Sequence, residues 1–228
     1  MRLLKSSAIV LVPALMLGAC GSSTKKVDPA ADLAVAKAAG LTAADLPGYK
    51  ETPYKKSSDV PASVKKDFAT CLHVKTTVLD DTPGAQKANS SDFDKGNATV
   101  SGSVEIDPKK SDIDTGWNAL NKPGIERCLE QLFQAAVRLA APSGGVTFGA
   151  TSVTKFDVGV GKRSVGYSVK ITASSQGVNV LFYADFVFVA RDRAGIELDA
   201  LNLSKPFSRA KEAALARAIY DRIGTKAS

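Results

Sequence analysis

Between residues 146 and 203 the apolar positions recur every second residue, the period of a strand that buries one face. The alternation predicts four strands, at residues 146–158, 163–172, 178–190 and 195–203, separated by short turns at 159–162, 173–177 and 191–194. Connections this short join neighbouring antiparallel strands and leave no room for crossover helices. The stretch VNVLFYADFVFVA at 178–190 is the most apolar of the four and is expected near the middle of the sheet.

Upstream the period changes to that of a helix. Asp28-Pro29 is start chemistry for a helix over 30–39 that Gly40 ends. After Pro61, Val64, Phe68 and Cys71/Leu72 form one apolar stripe and turn Cys71 inward. Residues 112–120 form a short amphipathic helix carrying Trp117. Ile125, Cys128/Leu129, Leu132/Phe133, Ala136 and Leu139/Ala140 define a longer one over 124–141, with Cys128 on its inner face. A last helix, 209–223, has Ser208 as a candidate cap and puts Leu215, Ala218/Ile219 and Ile223 inward. Residues 49–56, 76–79 and 97–106 read as further short strands, the first near an edge because of Pro53 and the last weakened by Gly102. The expected fold class is α+β: an antiparallel β-meander sheet with helices packed on it.

The first twenty residues follow a different logic. Arg2 and Lys5 precede an apolar run over 8–17, the order of an export signal. A run of about ten residues is far short of the roughly 20 that span a bilayer as a helix. Leu17-Gly18-Ala19-Cys20 resembles a bacterial lipobox, which implies diacylglycerol on the Cys20 sulfur, cleavage before Cys20 and acylation of the freed amine. Several acyl chains on one residue give stable anchoring where one chain gives marginal binding. The expected organisation is a signal peptide at 1–19, lipidated Cys20 with a tether and short helix to residue 40, and one extracytoplasmic α+β domain over 41–228, lipid-anchored at the cell membrane.

Composition refines this picture. Hydrophobic residues at 44% and charged residues at 23% describe an ordinary globular chain. Loss of Arg2 and Lys5 lowers the net charge from +7 to +5, and the remaining basic residues are interspersed with acids, as in Lys65-Lys66-Asp67. Such a surface suits proximity to anionic lipid. With no zinc-finger spacing or RNA-reading aromatic motif, nucleic acid is not an expected partner. Once Cys20 is committed to lipid, Cys71 and Cys128 remain as an even pair in an oxidising compartment, where a disulfide is the default. No cofactor is expected.

The order of lipobox, Leu46-Pro47-Gly48, the helix with Cys71, Ser91-Asp92-Phe93, a strand, the helix with Cys128, a meander and a terminal helix resembles actinobacterial cell-envelope lipoproteins. It is similar to the PsbP-like α+β sensor-type domains of LpqN-type lipoproteins and of the extracellular part of the PknH receptor kinase. The resemblance implies an outward-facing module that binds or senses a protein partner or cell-wall ligand.

Catalytic chemistry has little support. His73 is the sole histidine, and no Gly-x-Ser-x-Gly supplies a nucleophile, so no catalytic residues are assigned and no enzyme activity is expected. One histidine precludes a multi-histidine metal site, and neither Asp80-Asp81 nor Asp92/Asp94 has calcium-loop spacing, so no metal ligands are assigned. Gly159-Val160-Gly161-Lys162 lies between strands and reads as a hairpin turn. Asp185 interrupts the most apolar strand, and alternation predicts that it shares a solvated or groove-lining face with Tyr183, beside Tyr167. If buried, it would need a basic partner such as Arg163 or Lys170. The chain is thus expected to be a membrane-anchored binding or sensing module; a lipid or glycolipid carrier with an apolar cavity under the sheet is the alternative.

Overall fold

The computed structural model describes residues 27–54, 60–140, 146–175, 178–224 and 226–227; the signal and Cys20 lie outside them. In chain order the elements are α1 (Pro29–Ala39), β1 (Lys50–Thr52), α2 (Ala62–Cys71), a 3-10 turn (Thr76–Leu79), β2 (Gln86–Asn89), β3 (Asp92–Lys95), β4 (Ala98–Ile106), α3 (Lys110–Leu120), α4 (Ile125–Ala140), β5 (Val146–Phe156), β6 (Ser164–Ser175), β7 (Val178–Arg191), β8 (Ala194–Asn202) and α5 (Arg209–Ile223). The fold is α+β. Its eight strands form one sheet in the order β1-β3-β4-β8-β7-β6-β5, with β2 also paired to β4, and every pairing is antiparallel.

Helices cover both faces, and β7 offers an apolar surface to each because its sequence is nearly continuously apolar and not alternating. On one face, α1 and α5 bury Val100, Val104 and Ile106 of β4, Val187 and Val189 of β7, and Ile196 and Leu198 of β8. On the other, Val165, Tyr167 and Val169 of β6 pack with Phe186 and Phe188 of β7 against Leu72, Ile125 and Cys128. Gly166 permits one close approach: a Cβ there would meet the Phe156 ring at 2.1 Å, so only glycine lets that ring lie across its paired strand. The arrangement joins Cys71, at the end of α2, to Cys128 of α4 as a disulfide with a Cα separation of 5.7 Å.

Two expectations about the elements require correction, and two strands were missed. The domain does not begin at residue 41: Ala36 and Ala39 of α1 are in the core, and Asp32 pairs with Arg193, so this helix is part of the fold and not of a tether. Asp28 caps it, accepting hydrogen bonds from the backbone N–H of Ala30 and Ala31. Thr76–Leu79 is a 3-10 turn instead of a strand. Strands β2 and β3 were not predicted, because segments of four residues rich in Lys, Asp and Asn carry no periodic apolar signal.

Candidate functional site

The face of the sheet that carries α2 and α4 is only partly covered. Beyond β6 it changes character by rows, because residues paired across antiparallel strands share a face. One row runs Phe188, Glu197, Ser103 from β7 through β8 to β4; the next runs Ala190, Gly195, Glu105, Lys87 and reaches β2. The aromatic column on β7 is thus followed by acids and hydroxyls on β8 and β4. Over these rows lies α3, whose Ile113, Gly116, Trp117 and Leu120 recur at i, i+3, i+4 and i+7 and present one stripe to the sheet. A cavity of about 550 Å³ remains between them, closed at one end by Val78 of the 3-10 turn and the following loop over 80–83. All four stripe residues of α3 are half-buried, so the helix roofs the space without filling it.

Several contacts hold the roof in place, among them the ion pair of Asp114 on α3 with Arg163 at 2.5 Å. Ile113 sits over Gly195, where an added Cβ would stand 3.3 Å from the Ile113 Cδ1. At the other end of α3, the Tyr167 hydroxyl donates to the Leu120 carbonyl. Tyr167 is fully buried, and burial, followed by the nearby charge of Glu126, pushes its hydroxyl pKa up to about 12.

The cavity is electrostatically lopsided. Asp80, Asp81, Glu105, Asp107, Asp112 and Glu197 line it, with Lys87 as the one basic lining residue among the described residues. Lys65 pairs with Asp80, and Lys87 lies 3.9 Å from Glu197; among the described residues Asp81, Glu105, Asp107 and Asp112 make no ion pair. Burial, reinforced by the charge of Asp107, raises the Glu105 pKa; burial likewise raises that of Asp107. Asp107 is only 3% exposed, and its Oδ1 has no hydrogen-bond partner among the described residues. One row along the same face, burial and then the charge of Glu197 push Asp199 up to about 8.

The groove expected from Tyr167, Tyr183 and Asp185 does not exist as such. Tyr167 pairs with Phe186 and Asp185 with Ser168, which puts Tyr167 and Asp185 on opposite faces of the sheet, both fully buried. Asp185 is covered by α5, where its Oδ1 lies 3.1 Å from Arg209; neither Arg163 nor Lys170 is its partner. Arg209 also binds Glu212, itself fully buried, at 2.9 Å and stacks 3.5 Å above the Phe156 ring. Tyr183 shares the face of Asp185 and is half-buried. His73 is exposed at the end of α2 with φ 53° and is not among the residues lining the cavity. Among the described residues no cluster of three metal-ligating side chains occurs. The cavity itself was missed because its acids come from separate elements; only the α3 stripe with Trp117 and the Asp80-Asp81 pair were singled out in the sequence.

These features define an α+β antiparallel-sheet domain with a roofed acidic groove. No family model and no curated protein matches the chain. Among solved structures it is similar to the extracellular domain of PknH from Mycobacterium tuberculosis, at 13% sequence identity over 88% of this chain and 98% of that one, with a TM-score of 0.44. No helix among the described residues is long and apolar enough to cross a membrane.

Proposed function

We propose that the chain is an envelope lipoprotein, anchored through acylated Cys20 at the extracytoplasmic face of the cell membrane, whose domain is a non-catalytic binding module with the groove under α3 as its ligand site. The export signal and lipobox-like Leu17-Gly18-Ala19-Cys20 support the anchor, and a Cys71–Cys128 bridge suits an oxidising compartment. The observation that carries the binding role is the cavity itself. Its volume of about 550 Å³ falls within the range of small-molecule sites, and it joins apolar side chains to polar and charged ones. Among the described residues its lining offers carboxylates, hydroxyls and Lys87 but no imidazole or thiol.

A neutral lipid carrier would need a mostly uncharged cavity, whereas six carboxylates line this one. Native mass spectrometry of the full chain isolated from envelopes tests the reading. A bound small molecule that is lost in Gly116→Leu, which plugs the groove, is the expected result. Stoichiometric neutral lipid retained by both forms would replace the binding module with a carrier.

A further inference from the structure

We infer that the groove binds a small organic cation with an apolar body, an alkyl- or arylammonium, with its charge against Glu105 and Asp107 and its hydrocarbon against Trp117 and Phe188. The inference rests on reading the groove as a binding site and adds the chemical class of its occupant. Four independent features of the molecule carry it.

First, the cavity is acidic in a chain of net charge +7, so its sign is local and does not follow from the overall composition. Second, the Asp107 carboxylate is 97% buried at the cavity wall and leaves Oδ1 without a partner among the described residues. A buried carboxylate oxygen without a donor is costly, and an ammonium N–H supplies both the donor and the countercharge. Third, the lining also includes Trp117, Leu120 and Phe188, which a bare metal ion would leave unused and an organic cation would cover; a tryptophan ring is also a favourable neighbour for a cation. Fourth, Gly116 sits in the interior of α3, where glycine weakens a helix, and a Cβ added there would meet nothing within 4 Å. No packing contact explains that glycine, which lines the groove with open space beside it.

An anion is repelled by Glu105, Asp107 and Asp112, and a neutral apolar molecule would dehydrate them without offering hydrogen bonds. Burial and the neighbouring carboxylates raise the pKa values of Glu105 and Asp107 against the pull of Lys87 and Arg193, a crowding that a bound cation would relieve.

Trp117 is the only tryptophan, so intrinsic fluorescence of the purified full chain reports on the groove. The probes are 4-phenylbutylammonium, 4-phenylbutanol and 4-phenylbutyrate, which share one apolar body and differ in charge. The ammonium is expected to bind saturably, about tenfold more tightly than the alcohol, because one charge-assisted hydrogen bond separates them. The carboxylate should bind most weakly, and added salt should weaken the ammonium alone. Glu105→Gln should weaken the ammonium about tenfold and leave the alcohol unchanged, while Gly116→Leu should abolish both responses. Should Glu105→Gln fail to fold, Asp81→Asn on the exposed loop tests the same charge selectivity without a buried change. Alcohol or carboxylate binding as tight as that of the ammonium would overturn the cation inference while leaving the groove a binding site. No saturable response from any probe, or one that survives Gly116→Leu, would overturn both.

Discussion

Asp32 and Arg193 meet as a two-pronged ion pair across 161 residues of sequence, with Oδ1 to Nη2 and Oδ2 to Nη1 both at 2.9 Å. Arg193 also donates to the Asp107 carbonyl at 2.7 Å, so one guanidinium ties α1, the β7–β8 hairpin and the end of β4 together. The two side chains are mostly buried, and Asp32 holds the Arg193 pKa above its usual value. Asp32→Ala strands a partly buried guanidinium and is expected to cost about 3 kcal/mol. A lower urea midpoint at unchanged slope is the expected signature. No change would return α1 to the tether.

The Cys71–Cys128 bridge fastens α2 to α4 beneath the covered part of the sheet. Thiol labelling of the denatured but unreduced chain should therefore find neither residue reactive. Replacing both by alanine should lower stability by about 3 kcal/mol, since a long loop is released in the unfolded chain. Equal midpoints for the double variant and the oxidised protein would contradict this.

Under α5, Glu212 and Asp185 share one cation, Arg209. Burial first, then a hydrogen bond and the negative charge of Asp185, push the Glu212 pKa up to about 7, against the pull of Arg209. A folded-state pKa above the unfolded one means that the native state binds the extra proton. The associated stability is fully present below about pH 4.5 and is lost as pH rises through about 7. Denaturation midpoints across that range should fall more steeply in the wild type than in Glu212→Gln, and the variant should be the more stable form at pH 8. Parallel pH profiles would show that Glu212 is already ionised in the native state.

Arg209 itself is half in solvent, and its removal acts in the opposite direction. Arg209→Ala leaves two fully buried carboxylates without their cation and uncovers the Phe156 ring, so a loss of about 3–5 kcal/mol is expected. Asp185→Asn should cost far less, because Glu212 keeps Arg209 and the like-charge repulsion disappears. Chemical denaturation of the two variants side by side checks the order; equal losses would refute it.

Gly116→Ala should raise stability by about 0.5–1 kcal/mol, the helix-propensity gain at a site where the added methyl meets open space. A fall in the thermal midpoint would show that the groove tolerates no added methyl on its roof.

Cys20→Ser tests the anchor. The variant is expected to accumulate as an uncut precursor that takes up no labelled fatty acid. Labelling equal to that of the wild type would remove Cys20 from its proposed role.

The sequence by itself determined the long elements, because each repeats its apolar signal many times. The meander over β5–β8, the stripe through Val64, Phe68 and Leu72, and the inward-facing Cys71 and Cys128 all follow from period alone. Short β2 and β3 escaped because four residues with a single apolar side chain, Ala88 or Phe93, show no period, and their pairing is decided by the open edge of β4. Alternation also established that Tyr183 and Asp185 share a face, but not what covers it. That face is buried because α5 returns from the end of the chain to lie on it, bringing Arg209 and Glu212, and no local pattern around Asp185 announces a helix some twenty residues later. The groove belongs wholly to tertiary structure. Glu105, Asp107, Asp112 and Glu197 are unremarkable acids in their own segments, and become one site only when strand register aligns β8 with β4 and α3 crosses above them.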